Sequence, residues 1–569
     1  MVSTMLIKII DKNISNHLIF TVTLFVFILM IPIESHSSQN NTPKLVVQIT
    51  VDQLRGDLPL RYKERLSKDG FRYLIEKGTH YINAHYNHAN TETAVGHATL
   101  VTGADPSQHG IIANDWIDKN TGTFVYNTED SRHHLIGQNP KQHQGVSPKN
   151  LLSSTIGDEL VLSNAGKSRV FSVSGKDRGA ILPGGHAGKA FWYSKSRGEF
   201  VSSTYYYDKY PKWVAAWNSN KPVERYRGKN WDLLQPRNTY VAKDIDNREY
   251  EADFKSLGRT FPHSYADDKY LNLVVGLTPA IDELTLEFSK KIIEHEELGA
   301  GESTDFLAIS FSATDYIGHL FGPSSLEAED NILRLDRVLA SLFKFIDQKV
   351  GLDNTLIVLS ADHGGPEAPE YVASIGFDTG RFQFDHFKKP NQLNKALKKR
   401  FGRDDLILSH SHPYLYLNYK AIKTLDLDVS IVERFIVEEL IKTPGISYAM
   451  SRSELLEGRY VNTPTQKKIK RNFHIQRSGD IHLIPDQYWF LHSTDEAEKM
   501  GLSGLAAIHG SPWAYDTYVP IFIAGHNVPS QLVHRRVSPT DIAPTIANYL
   551  GIKIPSGSTG KALREVFNH

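Results

Sequence analysis

Residues 305–319, DFLAISFSATDYIGH, indicate the fold more directly than any other part of the chain. The first seven are almost wholly apolar, which is typical of a strand buried on both faces. Asp315 and His319 follow four residues apart, so one helical turn would place both side chains on the same face. A buried strand followed at once by such residues is typical of parallel α/β sheets, whose ligands bind beyond the carboxyl ends of the strands.

Four other short apolar runs resemble this one, and helical patterns separate them. A helix is predicted over 325–350 from its 3.6-residue apolar stripe, and Ser538 opens a capped helix over 541–550. Strands that alternate with helices predict an α/β fold with a doubly wound, mainly parallel central sheet flanked by helices. The further strand candidates are 44–51, 170–173, 355–359 and 518–523.

Composition narrows the function before any motif is considered. The chain has 569 residues, its 64 Lys and Arg balance 64 Asp and Glu, and it contains no cysteine. A zero net charge argues against a nucleic-acid partner. The lack of cysteine excludes disulfide scaffolds, thiolate zinc sites, iron–sulfur clusters and cysteine nucleophiles.

The domain organisation is expected to be one large catalytic domain behind a leader. Residues 18–33 form an apolar run shorter than the roughly 20 residues that span a bilayer, and small residues at Ser35 and Ser37 suit signal cleavage. The prediction is a signal peptide over 1–37, with an uncleaved anchor as the alternative. The remainder, 38–569, is expected to be a single domain with insertions at about 193–259 and 365–500. The folded part is therefore expected outside the cytoplasm, with no stable membrane insertion once the signal is cleaved.

Carboxylate and imidazole side chains cluster around the predicted strand ends. Any one of them could be structural, but together they indicate a metal site. Oxygen and nitrogen ligands without sulfur suit catalytic zinc, with other transition metals as the alternative, and six of them are enough for two metals. The candidates are Asp52, Asp315, His319, Asp362, His363 and His509.

Two further groups of residues suggest what such metals would act on. Residues 90–102 start a helix, and a hydroxyl such as that of Thr91 or Thr93 at its N-terminus could be a nucleophile or a plain N-cap. Asn114, Lys176 and Arg178 offer donors that suit phosphoryl oxygens, although a solvated charged loop is the alternative.

The motifs carry a resemblance to a known family. The sequence is similar to the alkaline phosphatase superfamily, and within it to the PafA-like, threonine-nucleophile phosphate-monoester hydrolases of bacteria. The similarity extends in order from about residue 44 to the C-terminal SPTDIAPTIANYLGI and is weak over 365–500. It rests on VDQLRGD, TETAVGHATLVTGADPSQHGIIANDW, SGKDRGAILPGGHAG, SATDYIGHLFGP, SADHG and IHGSPWAYDTYVPIFIAG.

The resemblance implies a role for each matched residue. Thr93 would be the nucleophile, would touch the second metal and would form a phosphothreonine. Asn114, Lys176 and Arg178 would bind the non-bridging phosphoryl oxygens. Two Zn²⁺ ions would be held, one by Asp315, His319 and His509 and the other by Asp52, Asp362 and His363.

The resulting expectation is a periplasmic or secreted bacterial phosphomonoesterase, monomeric, acting on small-molecule phosphate monoesters. A nucleotide pyrophosphatase or phosphodiesterase of the same superfamily would lack the Lys176 and Arg178 pair and show an apolar pocket. A sulfatase lacks support, because the cysteine route to its nucleophile is closed and no serine motif matches. An inert secreted binding protein with this fold remains as an alternative of a different class, and bound metal would argue against it.

Overall fold

The computed structural model describes residues 42–138, 145–383, 392–492 and 504–567. Contacts divide the chain near Thr42, and every element below belongs to the unit Pro43–His569. The predicted signal peptide over 1–37 lies outside the described residues. In the described part, no helix is both long enough and apolar enough to cross a bilayer.

The strands are short, and those in the middle of the main sheet are buried along their whole length. In chain order they are β1 Leu45–Val51, β2 Thr79–His85, β3 Asp115–Ile117, β4 Phe124–Tyr126, β5 Val170–Ser174, β6 Lys189–Ser194, β7 Glu199–Val201, β8 Asn230–Trp231, β9 His263–Ser264, β10 Asp305–Phe311, β11 Thr355–Ser360, β12 Arg381–Gln383, β13 Ile407–Ser411, β14 Tyr414–Leu417, β15 Ile446–Ser451, β16 Ile481–Pro485, β17 Phe490–His492, β18 Tyr518–Gly525 and β19 Gln531–Val533.

Among the described residues, nine strands form the main sheet in the order β19-β2-β18-β11-β1-β10-β5-β6-β7. Five consecutive strands of this sheet, from β11 to β6, are parallel to one another. The register is in step, since Val46 lies opposite Phe306 on one side and Leu356 on the other. The prediction of a mainly parallel central sheet flanked by helices is confirmed, and the aligned register brings the carboxyl ends of these strands to one edge.

The last predicted strand differs from the others in direction. β18 pairs antiparallel with β11, with Leu359 opposite Phe522, and antiparallel with β2. An apolar run carries no information about strand direction, so the sequence could not distinguish the two. Because β18 is reversed, its amino end lies at the same edge as the carboxyl ends of the parallel strands.

Helices pack against the sheet and close its core. The apolar stripe predicted over 325–350 is the buried face of one long helix, Leu326–Lys349. The C-terminal helix, Ile542–Leu550, follows a capping turn at Ser538. In chain order the helices are α1 Leu58–Arg61, α2 Phe71–Lys77, α3 Thr93–Thr102, α4 Pro106–His109, α5 Ile156–Ser163, α6 Asp177–Gly184, α7 Lys212–Ser219, α8 Leu271–Val275, α9 Ala280–His295, α10 Ala313–Phe321, α11 Leu326–Lys349, α12 Pro369–Ser374, α13 Gln392–Phe401, α14 Tyr419–Thr424, α15 Val429–Leu440, α16 Arg452–Glu457, α17 Pro464–Asn472, α18 Ala514–Thr517 and α19 Ile542–Leu550.

The stretch 365–500 builds a second, smaller sheet from its described residues. Four strands pair in the order β13-β14-β16-β15. Apolar residues of α13 and α15 pack with these strands in a cluster separate from the main core. This arrangement explains why 365–500 does not follow the strand and helix rhythm of the main sheet.

Buried carboxylates of helix α11 hold the stretch 193–259. Asp330 accepts the larger number of side-chain hydrogen bonds from it, while Glu329 accepts from the Val241 and Ala242 main-chain N atoms. Asp330 is fully buried and accepts hydrogen bonds from Trp231 Nε1 at 2.7 Å and from Tyr240 Oη at 2.5 Å. It also accepts from the Leu234 main-chain N at 2.7 Å and from Arg334 Nε at 2.6 Å. Four donors therefore meet on one side chain that the sequence patterns did not single out.

Replacing Asp330 with Ala is expected to lower the free energy of unfolding by about 3 kcal/mol, because it leaves several buried donors without an acceptor. Urea unfolding followed by tryptophan fluorescence measures the loss. Glu302→Ala, at an exposed loop position, is the control and is expected to change stability by less than about 0.5 kcal/mol. Equal stability of the two variants would contradict the role given to Asp330.

Candidate active site

Three buried aspartates meet at the carboxyl edge of the main sheet. Asp52 follows β1, Asp315 lies in the first turn of α10 after β10, and Asp362 follows β11. Each is 2% exposed or less. The in-step register of the three strands is what brings these side chains together.

Histidines complete the cluster, and each is oriented by the main chain. In the three predicted ligands, the Nδ1 atom lies at hydrogen-bond distance from a carbonyl oxygen, which assigns the proton to Nδ1 and turns the Nε2 lone pair toward the aspartates. The bonds are His319 Nδ1 to Ala507 O at 2.8 Å, His363 Nδ1 to Gly364 O at 2.8 Å and His509 Nδ1 to Thr91 O at 2.9 Å.

Two sets of three side chains have ligand atoms close enough to share a metal ion. Asp315, His319 and His509 form the first set, in which all ligand atoms lie within 4.8 Å of one another. These are the three residues that the family resemblance implied for one of the two metals. His509 reaches it because the reversed strand β18 starts at this edge.

The second set differs by one residue from the one expected. The atoms within 4.8 Å of one another belong to Asp52, Asp315 and His363, with Asp315 in the place expected for Asp362. Asp362 Oδ2 still lies 3.5 Å from His363 Nε2, and Asp52 Oδ1 lies 3.4 Å from the same nitrogen. Asp362 Oδ1 accepts hydrogen bonds from the Gln53 and His363 main-chain N atoms. The assignment of Asp362 to the second metal stays a prediction.

The charges of the cluster fit divalent cations. Among the described residues, the ammonium group of Lys176 is the one lysine cation paired with these buried carboxylates, at 2.6 Å from Asp52 Oδ2 and 2.5 Å from Asp315 Oδ2. Burial lowers the pKa of His363, but the Asp362 and Asp52 carboxylates outweigh it and raise that pKa to about 9. The cluster therefore favours the positively charged form of His363, although a metal would bind its neutral form. The oxygen and imidazole donors of the cluster suit zinc.

Thr93 lies at the start of helix α3, beside this cluster. It is 1% exposed, and its Oγ1 atom is 3.5 Å from His363 Nε2. His97, one turn further along, donates from Nδ1 to the Thr93 carbonyl oxygen at 2.9 Å, and its Nε2 lies 2.9 Å from Ser310 Oγ. The hydroxyl of Thr93 is thereby held near both the second set of ligands and the positive end of a helix dipole.

Asn114 lies next to the same helix start. Its Oδ1 accepts a hydrogen bond from the Ala94 main-chain N at 3.0 Å, and its Nδ2 donates to Glu92 Oε1 at 3.3 Å. Glu92 Oε2 also accepts from the Asn114 main-chain N at 2.9 Å. The carboxamide is therefore fixed beside the start of helix α3, and its role in binding a phosphoryl oxygen stays a prediction.

Arg178 lies in the first turn of helix α6, just after Lys176. Its Nη1 atom is 3.5 Å from Tyr126 Oη and 3.9 Å from Asp177 Oδ1, and Tyr126 Oη donates to Asp177 Oδ1 at 2.8 Å. Burial lowers the pKa of Arg178, but Tyr126 and Asp177 outweigh it, so the pKa lies well above its usual range. The guanidinium group is permanently charged and is held by one tyrosine and one aspartate.

Gln53 is a site residue that the sequence analysis missed. Its Nε2 donates to Asp315 Oδ1 at 3.0 Å, and its backbone adopts a φ of 65°. A side chain at Gly318 would overlap the Gln53 Oε1 atom, so that glycine makes room for it. The one local signal was its position directly after Asp52, because no spacing pattern singles out a glutamine.

Comparisons with known proteins agree with this geometry. The sequence profile described as "Type I phosphodiesterase / nucleotide pyrophosphatase" matches residues 46–512. A protein named "Calcium-transporting ATPase" from Myroides odoratus is 38% identical over 535 residues, which are 93% of this chain and 95% of the relative. "Alkaline phosphatase PafA" from Elizabethkingia meningoseptica is 36% identical over 530 residues, which are 92% and 94% of the two chains.

A solved structure extends the comparison to three dimensions. The crystal structure of wild-type alkaline phosphatase PafA superposes with a TM-score of 0.85 at 35% identity. The match covers 93% of this chain and 99% of that one. The likeness therefore includes the main sheet and the stretches outside its strand and helix rhythm.

Gly96 sets how closely helix α3 approaches the loop after β11. A Cβ atom at this position would overlap the carbonyl oxygen of Asp362. Although Ala favours helices, Gly96→Ala is therefore expected to lower the free energy of unfolding by about 2 kcal/mol through overpacking. Thermal or urea unfolding measures the change. Gly301→Ala, whose nearest neighbour is 3.6 Å away, is the control, and equal stability of the two variants would contradict the close approach.

Proposed function

We propose that this chain is a phosphate-monoester hydrolase that forms a phosphothreonine intermediate at a two-zinc site. It belongs to the type I phosphodiesterase/nucleotide pyrophosphatase family within the alkaline phosphatase superfamily and is an alkaline phosphatase. The family is named for phosphodiesterases, whereas relatives of this chain are named alkaline phosphatases, so membership alone does not decide the substrate. The side chains around the cluster of aspartates must decide it.

The observation that supports monoesters is the pair of cations next to the carboxylate cluster. Lys176 contacts Asp52 and Asp315, and Arg178 follows it in the first turn of α6. A monoester dianion has a third charged oxygen that such cations can bind. A diester places a carbon substituent at that point, which offers these cations no charge to bind.

The two proposed zinc ions would be held by side chains of the aspartate and histidine cluster and by Thr93. Asp315, His319 and His509 would hold one zinc ion, while Asp52, Asp362, His363 and the Thr93 oxygen would hold the other. When bound, the two ions supply Lewis-acid stabilisation of negative charge on oxygen.

The chain's own nucleophile would divide the reaction into two displacements. In the first, Thr93 Oγ1 forms a bond to phosphorus while the bond from phosphorus to the leaving alcohol breaks. In the second, water cleaves the bond between Oγ1 and phosphorus, which releases inorganic phosphate and restores the hydroxyl group. Thr93 suits this role because it is held at a helix N-terminus, where a developing negative charge is favoured.

Fixed donors would stabilise the phosphoryl group as it is transferred. Asn114 offers its amide, Lys176 its ammonium group and Arg178 its guanidinium group. Asn114 is held by Glu92 and Arg178 by Tyr126, while Lys176 lies against the Asp52 and Asp315 carboxylates that would also bind the metals. Donors that are fixed in this way stabilise developing charge with little reorganisation of their own partners in the case of Asn114 and Arg178. Arg178 is suited to two oxygens at once, whereas Lys176 acts as a point charge.

The proposed location is the periplasm or the exterior of the cell. Its support is the sequence pattern of residues 1–37, which lie outside the described residues. The proposed substrates are small phosphate monoesters, and the chain is proposed to act as a monomer.

Thr93→Ala is expected to reduce turnover of an aryl phosphate below about one-thousandth of the wild-type value, because the covalent step is lost. Bound zinc, measured by elemental analysis, is expected to remain, since the aspartate and histidine ligands are unchanged. Thr91→Ala is the matched control, because Thr91 orients His509 through its main-chain carbonyl. Loss of activity in Thr91→Ala together with its retention in Thr93→Ala would identify a different nucleophile.

Lys176→Ala combined with Arg178→Ala is expected to lower kcat/KM for a monoester about a hundredfold more than for a diester. The two cations bind charge that the diester lacks. Since both substrates are measured on one preparation at saturating zinc, the ratio cancels any loss of folded protein. The panel includes ATP, because one relative is named an ATPase. Equal losses on both ester classes would favour the phosphodiesterase.

A further inference from the structure

Lys195 lies at the same edge of the main sheet as the candidate active site. Strand β6 runs parallel to β5, with Trp192 opposite Ser174. Lys176 comes two residues after the end of β5, and Lys195 comes directly after the end of β6. Two neighbouring parallel strands therefore each deliver a lysine to this edge.

Tyr316 connects the two lysines. Its ring centroid is 4.0 Å from Lys195 Nζ and 4.8 Å from Lys176 Nζ. Tyr316 follows Asp315 directly on helix α10, so the ring adjoins the carboxylate cluster. Both ammonium groups are attracted by the same ring, which keeps Lys195 Nζ within about 9 Å of Lys176 Nζ.

Lys195 and Arg197 both lie in the turn between β6 and β7, but their charged partners differ. Arg197 Nη2 forms an ion pair with Glu199 Oε2 at 2.7 Å. Within the described ranges, no ion pair to a carboxylate includes Lys195, whose charged contact is the face of Tyr316. The side chain is partly exposed, so its ammonium group can still accept an anion from solvent.

We propose that Lys195 and Tyr316 form a subsite for a second phosphate group carried by the leaving alcohol of the substrate. This inference rests on the proposed function, since it assumes that Lys176 and Arg178 bind the phosphoryl group that is transferred. A second phosphate close to the first would then meet an ammonium group that no carboxylate of the described chain neutralises. The substrate class is phosphorylated alcohols with a further phosphate, and the bond that breaks is unchanged.

The test compares 1,4-butanediol bisphosphate with 4-hydroxybutyl phosphate in the zinc-loaded enzyme. The two ends of the bisphosphate are identical, so both substrates present the same reacting ester. Lys195→Met keeps the apolar stem of the side chain and removes its charge. The ratio of kcat/KM for the bisphosphate to that for the monophosphate is expected to fall about fivefold, the effect of one partly exposed ion pair.

Controls separate this effect from a general loss of charge or fold. Lys195→Arg is expected to keep most of the ratio, and Lys209→Met, at an exposed position after β7, is expected to leave it unchanged. The ratio in the wild type is also expected to fall as sodium chloride is raised, because exposed ion pairs are screened. An unchanged ratio in Lys195→Met, or an equal fall in Lys209→Met, would refute the subsite.

The two hypotheses fail in different ways. If the wild type hydrolyses 4-hydroxybutyl phosphate and the ratio does not depend on Lys195, only the subsite is refuted. If the wild type hydrolyses neither compound, the proposed function is refuted, and the subsite that rests on it is refuted as well.

Discussion

Mutual repulsion among Asp52, Asp315 and Asp362 is the constraint on which the rest of the structure depends. Two unit charges 4 Å apart cost about 4 kcal/mol even at an effective dielectric constant of 20. Burial adds a further penalty, and among the described residues Lys176 supplies the one lysine cation paired with the cluster. A fold that keeps these three carboxylates buried together is stabilised by additional positive charge beside them. The raised pKa of His363 is another consequence of the same demand.

The topology explains how ligands far apart in sequence reach this cluster. Parallel strands in step bring their carboxyl ends to one edge, which accounts for the three aspartates. His509 precedes a strand, and it reaches the same edge only because β18 is antiparallel to β11. The mixture of strand directions is therefore a requirement of the site. A fully parallel sheet would have placed His509 at the opposite edge.

The main sheet could be predicted from its apolar runs, and Asp52, Asp315 and Asp362 could be expected near one another because each follows a strand end that such a run marks. Features that depend on distant partners could not. Asp330 resembles any other acidic residue of an amphipathic helix until Trp231 and Tyr240 fold onto it. Lys195 is one lysine among many until Tyr316 lies beneath it. The direction of β18 had no signal, since alternation and burial do not depend on the sense in which a strand runs.

The histidine orientation has a consequence for how this site can change over evolutionary time. The groups that fix the three imidazole rings are main-chain carbonyls, at residues 91, 364 and 507. Every amino acid supplies a carbonyl, so a substitution at 91 or 507 that leaves the backbone path unchanged also leaves the imidazole tautomer unchanged. Position 364 is the exception, because a side chain there would overlap the carbonyl oxygen of Tyr515. Selection that preserves the tautomer therefore acts on the path of the backbone. Related proteins can keep this path, and with it the tautomer, while the side chains around the histidines change.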